Sequence, residues 1–336
     1  HFYIKDIPPS TSSQFNVSRP EIYFGEKSAD YVIVNTKQKE FDYPKGDTNV
    51  YTTYAGNGGI KLDSIFKKLV FSIKFSDIKI FISELITGES RIIFDREISY
   101  IPKKIAPFII YDRDPYLVLT DEGRMVWVQD GYTVSSKFPY SAPLNSQTNY
   151  IRNSVKVTID AYDGTTNFYV MDDTDPIIKS YQKVYPSLFK SYQEIPQFLK
   201  DHMKYPKDMF TVQAAMYSTY HMTDPQVFYN REDLWEIPSE TYGESEQTMK
   251  AYYLVTKLPE DKKEPFVLML PFAPTNKINM IAWMAAKSDF EDYGKFVVYK
   301  LPKEKTIYGP MQIESRIDQD TEISQKLTLW GQVGSR

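Results

Sequence analysis

Cysteine is absent from the 336 residues. That excludes thiol nucleophiles, zinc–thiolate sites, iron–sulfur clusters and disulfides together. It leaves the redox compartment open, because a chain without thiols works in either. Histidine is scarce: only His1, His202 and His221 occur. A histidine-rich metal centre is therefore not expected, and a Ser–His–Asp triad has two realistic bases at most. Charge of one sign is missing too, with Lys+Arg 40 against Asp+Glu 44 and a net charge of −4. No basic stripe exists to neutralise phosphates, so nucleic acid is not an expected partner. No run of about 18 apolar residues occurs. The most apolar stretch, "SIFKKLVFSIKFSDIKIFISELI" from Ser64, is cut by Lys67, Lys68, Lys74, Asp77 and Lys79. It predicts an amphipathic helix pair rather than a membrane span. There is no initiator Met and no signal-peptide pattern, and the chain is expected to be a fragment of something longer.

What is present points to a folded protein. Hydrophobic residues make up 42% and charged residues 25%, enough apolar material for a sizeable core. The length allows one large domain or two to three smaller ones, at roughly 100–200 residues each. Tyr is frequent at 27, with 20 Phe. These residues suit the faces of large antiparallel sheets; the alternative is an aromatic-lined groove for sugars or peptides.

Organisation follows from periodicity. After a Pro/Ser-rich lead-in, "YVIVNTKQKEFDYP" predicts a strand, and "YAGNGGIKL" a turn leading into a helical stretch, the helix pair, over residues 61–86. The glycines there lack the spacing of a phosphate cradle. The stretch from Ser90 reads as helix again, with Ile92, Ile93, Ile98 and Ile101 roughly on one face and Pro102 as its end or kink. Two hairpins follow. One pairs residues 116–120 with 125–130 around Gly123, and the other turns at Asp163-Gly164. Residues 176–235 read as helical, with Asp175-Pro176 and Asp224-Pro225 as cap and first-turn pairs. The last third predicts four strands: "YYLVTKLP", "EPFVLMLPFAP", "NMIAWMAAKS" and "GKFVVYKLP". The fold class expected is α+β and antiparallel β-rich, propeller-like or sandwich, with helical insertions near 61–110 and 176–235. The sub-parts expected are 1–175, 176–238 and 239–336.

Several strings together resemble one family. They include "KDIPP", "PEIYFGE", "EFDYP", "DRDPYLV", "DGYTVSSKFPYS", "VKVTIDAYDGTTNFYVMDDTDPI" and "YHMTDPQVFYNREDLWEIP". The chain resembles the bacterial uncharacterised protein family numbered one hundred and eighty-two along essentially its whole length. The resemblance implies a multi-pass membrane protein of the bacterial cell membrane, with a large soluble region on the extracytoplasmic face. This chain is similar to that soluble region without its spans. The family carries no established activity, so the resemblance supplies location and topology but no catalytic residues.

Three candidate sites remain. The densest acidic group is Asp172, Asp173 and Asp175 in "DDTDP", the one place where Ca²⁺ is a candidate cofactor. No EF-hand spacing accompanies it, and Asp175 is equally a helix cap. Asp112 and Asp130 can supply the paired carboxylates of a glycoside hydrolase, although Asp at turns and strand ends commonly serves the backbone. Asp130 is expected to close its strand. His221, three residues before Asp224, can act as base with that carboxylate as orienter, or as a local hydrogen-bonding residue beside a helix start. Trp235 and Trp330 are expected as core or interface anchors. The leading expectation is a non-enzymatic binding or assembly domain that contacts envelope components, membrane proteins or its own copies. The competing one is an envelope hydrolase acting on glycan or peptide.

Overall fold

Two glycines set the turns around which the first half of the chain is organised. Gly123 and Gly164 lie at φ +78° and +76°, a region that a side chain disfavours. Each closes a hairpin where the sequence predicts one. The computed structural model describes residues 17–242, 245–302 and 304–332. His1 and most of the Pro/Ser-rich lead-in, "KDIPP" included, lie outside them. The chain forms two compact units, residues 1–199 and 200–336, so the helical stretch expected over 176–238 is shared between them.

The first unit runs β1 (Val32–Val34), β2 (Glu40–Lys45), β3 (Thr48–Thr52), β4 (Ile60–Lys61), α1 (Ile65–Phe75), α2 (Lys79–Ile82), β5 (Arg91–Ile93) and α3 (Ile101–Ile105). It continues β6 (Ile110–Tyr111), β7 (Tyr116–Leu119), β8 (Met125–Ser135), β9 (Tyr150–Asp160), β10 (Thr166–Val170), α4 (Pro176–Val184) and β11 (Phe189–Lys190). The main sheet has the order β11-β10-β9-β8-β6, with β7 also on β8; β1-β5-β4 and β2-β3 form two smaller sheets. Its β10–β11 pair is parallel, and the pairs on either side of β8 and β9 are antiparallel.

Val155, Val157 and Ile159 alternate along β9 as expected and enter a core with Phe168, Val170 and Ile178. The residues between them do not reach solvent. Ser154, Lys156 and Thr158 are buried as well, so the centre of β9 is covered on both faces. The long β8–β9 ladder carries one irregularity. Gly131 faces Val155 and Tyr132 faces Asn153, which leaves Ser154 without an opposite number.

Two helical expectations are corrected. Residues 61–86 hold the expected helix pair, α1 and α2, but not from Lys61: a short strand precedes α1, which starts on the Ser64 cap and stops at Ser76, a left-handed residue at φ 53°. The stretch from Ser90 is strand. Ile92 and Ile93 are completely buried, and β5 is paired with both β1 and β4. Helix resumes only at α3, where Pro102 lies in the first turn instead of at the end. At that position its missing N–H leaves no helical hydrogen bond unmade.

The second unit follows α5 (Gln197–Asp201), which straddles the divide. It contains α6 (Lys207–Tyr220), α7 (Pro225–Asn230), β12 (Trp235–Glu236), β13 (Ser239–Tyr242), β14 (Ser245–Thr248), β15 (Tyr252–Val255), β16 (Phe266–Pro274), β17 (Ala282–Lys287), β18 (Phe296–Lys300), α8 (Pro310–Gln319) and α9 (Thr321–Gln332). The four strands expected in the last third are β15 to β18. Their sheet has the order β12-β16-β17-β18 with β15 also on β16, and Leu258, Val267 and Ala285 pack beneath it. Helices α8 and α9 have no counterpart in the sequence reading. The architecture is mixed α+β with mainly antiparallel sheets, as expected, and none of the described sheets closes into a barrel.

Candidate functional site

Asp130 does not close its strand. β8 continues through it to Ser135, and Asp130 lies opposite Lys156 of β9. Its Oδ1 accepts from the Lys156 ammonium at 2.6 Å, with Lys156 wholly buried and Asp130 3% exposed. Asp112 is buried nearby. Its Oδ1 accepts from the Asp114 backbone N–H at 2.8 Å and its Oδ2 from the Tyr132 hydroxyl at 2.5 Å. The Gln129 amide donates to the Asp112 carbonyl at 2.8 Å. Burial raises the Asp130 carboxyl above the ordinary range, Lys156 opposes that, and the charge of Asp112 adds to it. The two carboxylates thus share one buried neighbourhood, which acid–base work requires. One of them is matched to an ammonium, which a buried carboxylate requires.

Asp172, Asp173 and Asp175 do not converge. Asp175 caps α4, as the Asp-Pro pair predicts, and its carboxylate accepts from the hydroxyls of Thr133 (2.5 Å), Ser154 (2.7 Å) and Tyr150 (2.9 Å) and from the N–H groups of Ile177 and Ile178. Burial acts to raise Asp175, but these donors outweigh it and hold the carboxyl below its ordinary value. Asp172 accepts from Arg152 and from Thr174, while Asp173 is exposed. Among the described residues, no group of three or more His, Asp or Glu is placed to hold a metal ion.

The second unit brings His221 to a cavity of about 220 Å³, lined also by Thr223, Asp224, Asp233, Trp235 and Lys300. His221 ends α6, and its Nδ1 lies 3.1 Å from the Tyr217 carbonyl. A carbonyl only accepts, so Nδ1 carries a hydrogen, and in a neutral ring Nε2 is then an acceptor. That Nε2 is buried and has no hydrogen-bond partner; the nearest carboxylate is Asp233, at 3.9 Å. The imidazole stacks on Trp235 at a centroid distance of 3.7 Å. The indole is held by β12 and by Phe272, and its Nε1–H is likewise buried and unpartnered. The Lys300 ammonium lies 5.7 Å from the indole centroid. Asp224 lines the cavity but caps α7, with its Oδ1 accepting from the N–H groups of Gln226 and Val227. The carboxylate that faces His221 is therefore Asp233, not Asp224. Trp235 is a buried anchor as expected, whereas Trp330 is 49% exposed.

An uncharacterised protein family, UPF0182, has a model that matches residues 1–330. The chain belongs to UPF0182. A UPF0182 protein of Desulforamulus reducens is 55% identical over 336 residues, covering all of this chain and 36% of the relative. One from Sulfurovum sp. is 52% identical over 99% of the chain and 37% of its own length. One from Geobacter sulfurreducens is 51% identical over the whole chain and 37% of its own length. The chain thus spans little more than a third of these UPF0182 relatives, whose names state no activity. No solved structure matches it.

Within this UPF0182 region, His221 and Asp224 stand out in the sequence, Asp233 and Lys300 do not, and Trp235 reads there as an anchor. The signal for Asp233 was its place in "DLW", two residues ahead of an aromatic side chain. Lys300 lies at the end of β18, 79 positions beyond His221 in the numbering, and nothing local marks it.

Proposed function

We propose that this UPF0182 region is a binding domain, and that the cavity of the second unit takes a small polyhydroxylated ligand of the sugar class. The observation that carries the reading is a pair of buried, unpartnered polar atoms, His221 Nε2 and Trp235 Nε1, on two stacked residues that line one cavity. Burying such groups without partners costs about 1–3 kcal/mol each. A hydroxyl-rich ligand supplies a donor to the imidazole and an acceptor to the indole, and it can also meet Asp233 and Lys300. The stacked indole and imidazole belong to one wall of the cavity. The wider setting belongs to the same proposal: a region on the extracytoplasmic face of the cell membrane, attached through spans outside this chain. Its partners would be envelope components, membrane proteins or its own copies. The topology implied by the family resemblance supports that setting.

The test is calorimetric titration of the 336-residue chain with a panel of hexoses, alongside Trp235→Phe. This substitution keeps an aromatic wall and removes an N–H with no partner inside the protein, so the fold is retained. Binding is expected to weaken by about tenfold or more, the usual effect of losing one buried hydrogen bond to a ligand. No binding by the wild type, or equal affinity in the variant, would sink the reading.

The hydrolase reading draws its support from Asp130, raised by burial beside Asp112. It requires turnover of a labelled envelope glycan or peptide that disappears in Asp130→Asn. The binding reading expects no turnover from either protein.

A further inference from the structure

Helix α1 is apolar on two sides. Its inner face contributes Phe71 and Phe75, whose rings pack on Phe94 at 5.5 and 5.8 Å. Ile65, Phe66, Leu69, Val70 and Ile73 follow the i, i+1, i+4, i+5, i+8 spacing of a second face, and that face is open. Ile65, Phe66 and Ile73 are 75%, 73% and 70% exposed. The adjoining α2 adds exposed Phe81 and Ile82. An exposed apolar surface of this kind marks an interaction site.

The charges around this face indicate what covers it. Lys67 and Lys74 border the open face of α1, and Lys79 begins α2. Lys67 is ion-paired with Asp63 at 2.7 Å, and Lys74 lies 4.0 Å from the centre of the Phe94 ring. From Ser64 to Ile82 there are four lysines and one acid, Asp77, and Asp77 accepts from the Tyr31 hydroxyl at 2.6 Å. An apolar ridge bordered by ammonium groups is the composition of a helix that lies in a lipid headgroup layer, apolar side down, with lysines on anionic phosphates. Length settles the mode. Eleven residues extend about 16 Å, whereas a crossing helix needs about 20 residues. Among the described residues, no helix is long and apolar enough to cross a membrane.

We infer that the exposed face of α1 and α2 is a bilayer-docking surface that inserts shallowly into an anionic phospholipid interface. The inference rests on the membrane setting proposed above and not on the cavity.

The experiment is vesicle flotation of the 336-residue chain on phosphatidylcholine vesicles with and without about a third phosphatidylglycerol. The chain should float with the anionic vesicles, and about tenfold less with neutral ones or at about 0.5 M salt. The double variant Phe66→Glu/Ile73→Glu should lose at least about tenfold of the binding. Both positions are exposed, so circular dichroism and thermal unfolding should match the wild type. Three results would overturn the proposal: no flotation of the wild type, equal flotation of the variant, or a dimer in ultracentrifugation that the variant breaks without any lipid binding. The last assigns the face to a second copy of the chain. Hexose titration of the same variant separates the two proposals, because docking can fail while the cavity still binds.

Discussion

Lys156→Met should destabilise the protein by about 3–5 kcal/mol, with the unfolding midpoint in urea falling and the slope of the transition unchanged. Methionine matches the lysine stem in length and fills the same space, so packing is largely kept. What is lost is the cation 2.6 Å from Asp130. The carboxylate would stay in a place that is 3% exposed, with burial and the charge of Asp112 both acting against its ionised form. Breaking a buried pair from one side is costly for this reason, whereas removing both charges often is not. The informative comparison is Lys156→Met/Asp130→Asn, which should recover most of the loss. If the single variant unfolds at the wild-type midpoint, the ion pair contributes nothing measurable. If the double variant is no better than the single one, the damage comes from packing instead of charge.

Asp175→Ala should cost about 2–4 kcal/mol, from a lost helix cap and from the hydroxyls of Thr133 and Ser154, buried and deprived of their acceptor. The effect should depend on pH with a definite sign. The folded protein holds this carboxyl below its unfolded value. Its contribution is therefore fully present above the ordinary aspartate value of about 3.9 and is lost as pH falls through the lower folded value. Wild type should lose stability faster than the variant on acidification below about pH 4, so that the two unfolding curves draw together. A constant gap from pH 7 down to pH 2 would contradict the assignment. At the alkaline end, burial and the bond to Asp175 push the Tyr150 phenol up to about 12. A raised group contributes stability below its unfolded value and loses it as pH rises towards the folded one. Ultraviolet titration of Asp175→Ala should show that phenol ionising at a lower pH.

The features legible in the sequence are those decided locally. Asp175-Pro176 and Asp224-Pro225 cap helices because the carboxylate and the missing proline N–H both suit a first turn. Gly123 and Gly164 close hairpins because their turns require positive φ. The four C-terminal strands announce themselves by runs of β-favouring residues. Pairing over long sequence distances was not legible. "RIIF" follows a helix-like rhythm, yet Ile93 sits opposite Val32 and Ile92 opposite Ile60, and those distant partners decide that it is strand. Lys156 in "VKVTID" reads as the solvent side of an alternating strand. Only the β8–β9 register, which puts it opposite Asp130, explains a lysine with no exposure. The cavity was half visible: "TYHMTDP" flagged His221, but the chemistry depends on Asp233, Trp235 and Lys300, which the folded sheet assembles. Helices α8 and α9 have few buried positions, so hydrophobic periodicity gave little signal, although Gly309-Pro310 marks the start of the first.

The irregularity at Ser154 fixes the length of the chain more strictly than its composition. Because this residue has no opposite number, the ladder on one side of it aligns Asp130 with Lys156, and on the other it aligns Thr133 with Arg152. The Thr133 and Ser154 hydroxyls then meet at 3.1 Å and both reach Asp175. Removing one residue here would turn an offset ladder into a regular one and exchange the faces of the residues beyond it. A surface loop absorbs such a change. This hairpin could not, and it acts as a ruler whose divisions are single residues.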